Sequence, residues 1–137
     1  MYFIFAVIIV SSMTYYTFKA KTALVKKIVY GVIFLGIFGT AFFPFNTFSK
    51  SPTAFTINIH NDFGIVLMLA TTVSFILSII LSKSKAHKLT AGLSLIYAGV
   101  FIFLYFTGIP LMFSTFFIWE NLFIGLLFLE MYMERYE

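Results

Sequence analysis

Glu120 lies about nine residues into the last long apolar stretch of the sequence, with Trp119 before it and Asn121 after it. Holding a carboxylate at such a depth in hydrocarbon costs about 2.5–3.5 kcal/mol on insertion scales, so the side chain is expected to face other helices and to have a partner. His60 is the natural partner, with Asn121 and Asn46 as neutral alternatives. A neighbouring imidazolium would lower the carboxyl pKa and burial would raise it, which is the setting of a group that handles protons or binds a small ligand. The plainer reading is a hydrogen bond that packs two helices. His60 begins a run of Gly64, Leu67, Thr71, Ser74 and Ser78, spaced four, three, four, three. That spacing is one helical face, and its small and hydroxyl residues suit close helix packing. His60 is therefore expected to point along the packing face, as a base, a metal ligand, a pH-responsive group or a structural cap. Asp62 could extend a relay of His60 and Glu120, although a charge near a helix start is the simpler account. Trp119 reads first as an anchor in the aromatic belt.

These residues need elements to hold them. Of the 137 residues, 61% are hydrophobic and 10% charged, and the mean hydropathy is +1.03. A water-facing surface cannot be dressed with so few charges, because soluble domains carry about 25%. The fold class is therefore all-α, a polytopic membrane helix bundle in one transmembrane domain, since a helix satisfies its own backbone in lipid. A β-barrel needs alternating polarity, which Val73–Leu81 and Val100–Phe106 lack. About five spans are expected, over residues 1–18, 28–44, 61–82, 89–107 and 111–132. Pro44 and Asn46 mark the exit from the second. Asn58 or Asn61 would cap the third. The turn Gly108-Ile109-Pro110 separates the last two. Met1–Phe18 has no charged leader and no small-residue cleavage site, so it reads as a span rather than a signal peptide.

Seven of the nine basic residues lie in two short loops, Lys19, Lys21, Lys26 and Lys27 in one and Lys83, Lys85 and Lys88 in the other. The net charge of +4 is thus a topology signal and does not point to nucleic acid. Basic loops stay in the cytoplasm, which puts the N-terminus outside and the C-terminus inside. Pro44, Asn46, His60, Asn61, Asp62, Trp119, Glu120 and Asn121 then share the outer half of the membrane. With no cysteine, thiolate chemistry and disulfides are excluded. The outer side offers one histidine and two carboxylates, too few for an expected zinc site. No cofactor is expected.

Phe43-Pro44 closes a glycine-bearing helix, a polar loop leads to His60, and the last helix carries Trp119-Glu120-Asn121 before Gly125 and Leu129. Across roughly Ile28–Tyr132 this resembles the DUF998 family of bacterial multi-pass membrane proteins. The resemblance implies about six helices, a Phe-Pro-x-Asp motif, a following His and an acidic-Arg motif in the last helix. Here Asn46 stands for the Asp, Glu120-Asn121 for the acidic-Arg pair, and the usual first helix is absent. The family brings no settled activity. A distant similarity to ceramidase-type membrane hydrolases would call for three histidines, and this chain has two.

The expected function is therefore binding of a lipid-like or small polar ligand in an outward-facing pocket of a cell-membrane protein, or service as a partner subunit, rather than catalysis. Partners would be membrane lipid and a second copy or another membrane protein. Gly36/Thr40 and Thr71/Ser74/Ser78 would be the docking faces. A lipid hydrolase using His60 and Glu120 ranks second. A small transporter ranks third, because a polar path should cross the whole membrane and no buried charge is expected in the cytoplasmic half.

Overall fold

The structure is a computed structural model. It describes Ile4, Val7, Ile8, Ser11, Ser12, Tyr15, Thr17 and Phe18, then residues 22–43, 54–108 and 110–137. Most of the first expected span, together with Pro44, Asn46 and Lys50, lies outside the described residues. The chain is helical, with α1 at Leu24–Phe42, α2 at Ala54–Leu81, α3 at Lys85–Thr107 and α4 at Pro110–Arg135. Among the described residues, three helical stretches are long and apolar enough to cross a membrane: Leu24–Phe42, Asn58–Leu81 and Lys85–Thr107. Their lengths of 19, 24 and 23 residues match the roughly 20 residues a bilayer core requires.

The helices form two compact units, residues 1–71 and 72–137, and α2 contributes to both. In the first unit, α1 begins earlier than expected. Lys26 belongs to its buried stripe with Tyr30, Ile33 and Ile37, and its ammonium lies 5.8 Å from the Tyr30 ring. The lysine pair signalled a loop, yet a helix holds lysine readily when its alkyl stem packs and its charge meets a ring. Beside that stripe, Phe34, Phe38 and Phe42 stack at intervals of four, with ring centres 6.3 and 6.0 Å apart.

Glycines let α1 and α2 approach closely. A Cβ on Gly36 would come within 2.9 Å of Leu67, and one on Gly39 within 2.2 Å of the Phe63 ring. Thr40 faces Gly64 and turns its hydroxyl back to the carbonyls of Gly36 and Ile37, at 3.0 and 2.9 Å. The Gly36/Thr40 face is thus occupied by this chain's own α2, and Thr71, Ser74 and Ser78 are buried as well. These small residues pack within the chain.

α2 starts at Ala54, seven residues before the expected position. Asn58 and Asn61 therefore lie inside the helix and cap nothing, and Asp62 is two turns from its start. The polar composition of this stretch hid the helix, because Thr56, Asn58, His60 and Asn61 are individually weak formers that tertiary context overrides.

In the second unit, the Ser84 side chain caps α3 by accepting the His87 N–H at 3.3 Å. Gly108, at φ 65°, ends α3 in the left-handed conformation, which suits a residue without a Cβ. Pro110 then opens α4, where a missing N–H costs nothing. The buried stripe of α3 is His87, Ala91, Ser94, Ala98 and Phe101. Phe101 meets Phe123 of α4 at 5.3 Å, and Phe75 of α2 meets the same ring at 6.4 Å.

Candidate functional site

The residues singled out in the sequence fall into both units. His60, Asn61 and Asp62 belong to the first; Trp119, Glu120 and Asn121 belong to the second. His60 is half-buried, and its Nδ1 lies 3.1 Å from the Thr40 carbonyl and 2.8 Å from that of Phe43. Carbonyls only accept, so Nδ1 carries a proton and donates it to the open end of α1. Sequence spacing was right that His60 faces a neighbouring helix. Its Nδ1 is engaged in closing that helix. Asn61 and Asp62 are exposed.

Trp119 is half-buried and held at several points. Its ring stacks on Tyr97 at 5.5 Å, its Nε1 donates to the Thr115 hydroxyl at 3.0 Å, and its carbonyl accepts from the Tyr97 hydroxyl at 2.8 Å. These contacts fix α4 against α3. Asn121 is half-buried, whereas Glu120 is exposed, contrary to the expectation that it turns into the packed interior. Phe123, Leu127, Glu130 and Glu134 form the buried stripe of α4, and Glu120, three residues before Phe123 on that same face, lies beyond its buried part.

That stripe leads to a cluster which sequence reading missed. His87 is fully buried, Glu130 is 3% exposed and Glu134 8%. His87 Nε2 lies 3.1 Å from Glu130 Oε2. Its other nitrogen, Nδ1, lies 3.3 Å from Glu137 Oε2. The Ser78 hydroxyl donates to Glu130 Oε1, and the Ser82 hydroxyl to Glu137 Oε1. The Ser84 N–H also reaches Glu137 Oε1, at 2.9 Å. Three helices thus contribute: α2 gives Ser78, with Ser82 just past its end, α3 gives His87 from its first turn, and α4 gives Glu130 and Glu134 one turn apart. The expectation of no buried charge beside the second basic loop is overturned by Glu130 and Glu134.

His87 was read as one more residue of that loop. Because Ser84 starts α3, the neighbours Lys83, Lys85 and Lys88 stay exposed while His87 heads the buried stripe. The missed signal is the spacing of Glu130, Glu134 and Glu137 in the sequence, at intervals of four and three.

Glu137 lies beyond the end of α4. Burial acts to raise its pKa, but hydrogen bonds from Ser82 and Ser84, with the charge and hydrogen bond of His87, outweigh burial and hold the carboxyl below its ordinary value. The pair His87 and Glu130 can hold a proton on either side of a short contact. One ligand atom each from His87, Glu130 and Glu134 can lie within 4.8 Å of the other two.

The chain matches no protein-family model, no curated protein and no solved structure.

Proposed function

We propose that this protein is a small cell-membrane transporter, with about five spans, N-terminus outside and C-terminus cytoplasmic, that passes protons or small cations through the His87–Glu130 centre. One observation carries the reading: a buried imidazole 3.1 Å from a buried carboxylate, at the Lys-rich end of helices built to span a membrane. Intramembrane ionisable groups mark ion paths and proton relays, and histidine changes charge near physiological pH. A proton leaving His87 Nε2 for Glu130 Oε2 would leave a neutral ring beside a neutral carboxyl. Ser78, bonded to Glu130, and Ser74 one turn away continue a buried hydroxyl line along α2. The orientation rests on the two lysine-rich loops. Membership of the DUF998 family belongs to the same proposal and rests on Phe43-Pro44, His60 and Glu120-Asn121.

The outward-facing pocket has less to support it. His60 already donates to the end of α1, and Glu120 is exposed. Ligand binding there, or a role as partner subunit, would leave the inner centre idle.

The test is flux. Purified protein in liposomes loaded with a pH-sensitive dye should dissipate an imposed pH gradient faster than empty liposomes. Glu130→Gln should reduce that rate at least tenfold while the protein stays helical and monodisperse. A wild-type rate equal to that of empty liposomes, from correctly folded protein, overturns transport.

A further inference from the structure

We infer that the centre binds one divalent transition-metal ion through His87, Glu130 and Glu134. This names the cation of the transport reading and rests on that reading for the ion's role, though not for its binding. Bonds of about 2.0–2.2 Å to nitrogen and oxygen put two donors on a tetrahedral ion about 3.4 Å apart. The donor atoms here lie within 4.8 Å of one another, so they close on an ion by a side-chain shift of about 1 Å.

The surroundings of the three donors are those of a built site. Metal-bound histidines commonly turn their other ring nitrogen to a carboxylate, which fixes the tautomer and aims the ligating nitrogen. His87 has a carboxylate on each side: Nδ1 lies 3.3 Å from Glu137 Oε2 and Nε2 lies 3.1 Å from Glu130 Oε2. Glu130 is oriented in the same way, since the Ser78 hydroxyl takes Oε1 and leaves Oε2 toward His87. Glu137 is itself held by Ser82 and Ser84. An independent observation comes from Ser74, one turn from Ser78 on the same face of α2. It is 1% exposed and its hydroxyl has no hydrogen-bond partner, which leaves a buried polar atom to be satisfied on the α2 face that carries Ser78.

The donor chemistry selects the ion class. Two carboxylates and a neutral imidazole balance a 2+ charge. Imidazole favours zinc, iron, nickel and copper over magnesium and calcium, which prefer all-oxygen shells. Zinc, content with three protein ligands and one open position, is the natural probe.

The experiment is equilibrium dialysis of the detergent-purified full chain against Zn2+, with Co2+ absorption as a spectroscopic signature. One Zn2+ per chain is expected, with a visible Co2+ band and little competition from excess Mg2+. Glu134→Gln should weaken binding at least tenfold, and Ser78→Ala should weaken it through Glu130. If His87→Ala fails to fold, X-ray absorption of bound Zn2+ in the wild type should still show one imidazole among oxygen ligands. No binding by the wild type, or full binding by both Glu130→Gln and Glu134→Gln, overturns the inference. Proton flux from protein that binds no Zn2+ would sink the metal site and leave transport standing. Zn2+ binding with no flux of either ion would do the reverse.

Discussion

A histidine and three glutamates carry the chemistry proposed here, and the sequence made them harder to find than Glu120. Glu120 drew attention because it stands alone in an apolar run. Glu130, Glu134 and Glu137 sit where the sequence turns polar, and there carboxylates read as a solvated tail. Their spacing of four and three was legible, and so was its continuity with Phe123 and Leu127. The same face reasoning that identified His60 on α2 would have found them on α4. His87 was hidden by its lysine neighbours, since burial depends on where α3 begins, and that is decided by the Ser84 cap. Glu137 gives this scale its prediction. Its folded pKa is depressed, so its contribution to stability is complete above the ordinary carboxylate value. It is lost as pH falls through the lower folded value. Thermal unfolding in detergent should therefore show an acid-side loss of stability below about pH 4.5, and Glu137→Gln should be less stable at neutral pH and lack that component. An unchanged acid limb in Glu137→Gln would show that the contacts of Glu137 with Ser82, Ser84 and His87 contribute nothing.

Between elements, the contact of α1 with α2 depends on what is missing from side chains. Gly36 was recognised with Thr40 as a packing residue, and the structure gives it an intramolecular partner, with Gly39 beside it against Phe63. The distinction could not be read from sequence, because a small-residue face suits a neighbour in the same chain as well as one in another. At Gly39 the added methyl of alanine would lie 2.2 Å from Phe63 Cγ and Cδ1. Cγ is the root of the ring, so rotation about the ring axis cannot clear it. Overpacking of this kind costs about 1–3 kcal/mol. Gly39→Ala should accordingly lower the thermal midpoint, and Phe63→Ala added to it should cost less than Phe63→Ala does in the wild type. Such non-additivity is the mark of a direct contact. Strictly additive losses would place Gly39 and Phe63 out of contact. The early start of α2 has a related cause: tertiary packing of His60 and Phe63 outweighs the weak helix preference of the residues before them.

For the whole molecule, composition alone pointed to a helical membrane protein, because so few charges cannot solvate a surface. The helices agree: Leu24–Phe42, Asn58–Leu81 and Lys85–Thr107 each match a bilayer in length and polarity. Span count and orientation are a different kind of claim, since they describe the chain relative to a membrane. In the proposed orientation the turn between α2 and α3 is cytoplasmic and the turn after α3 is outside. The absence of cysteine makes this directly measurable, because any thiol introduced is the only one. Lys83 and Lys85 on one side and Thr107 on the other are exposed, so a cysteine at any of them can be reached by reagent. Lys83→Cys and Lys85→Cys should react with an impermeant maleimide only in inside-out vesicles, and Thr107→Cys only in intact cells. The reverse pattern would invert the protein and put the His87–Glu130 centre at the outer face, where it would meet ions before they enter the cell. Labelling of both positions from one side would mean that α3 does not cross, and the transport proposal would fall with it.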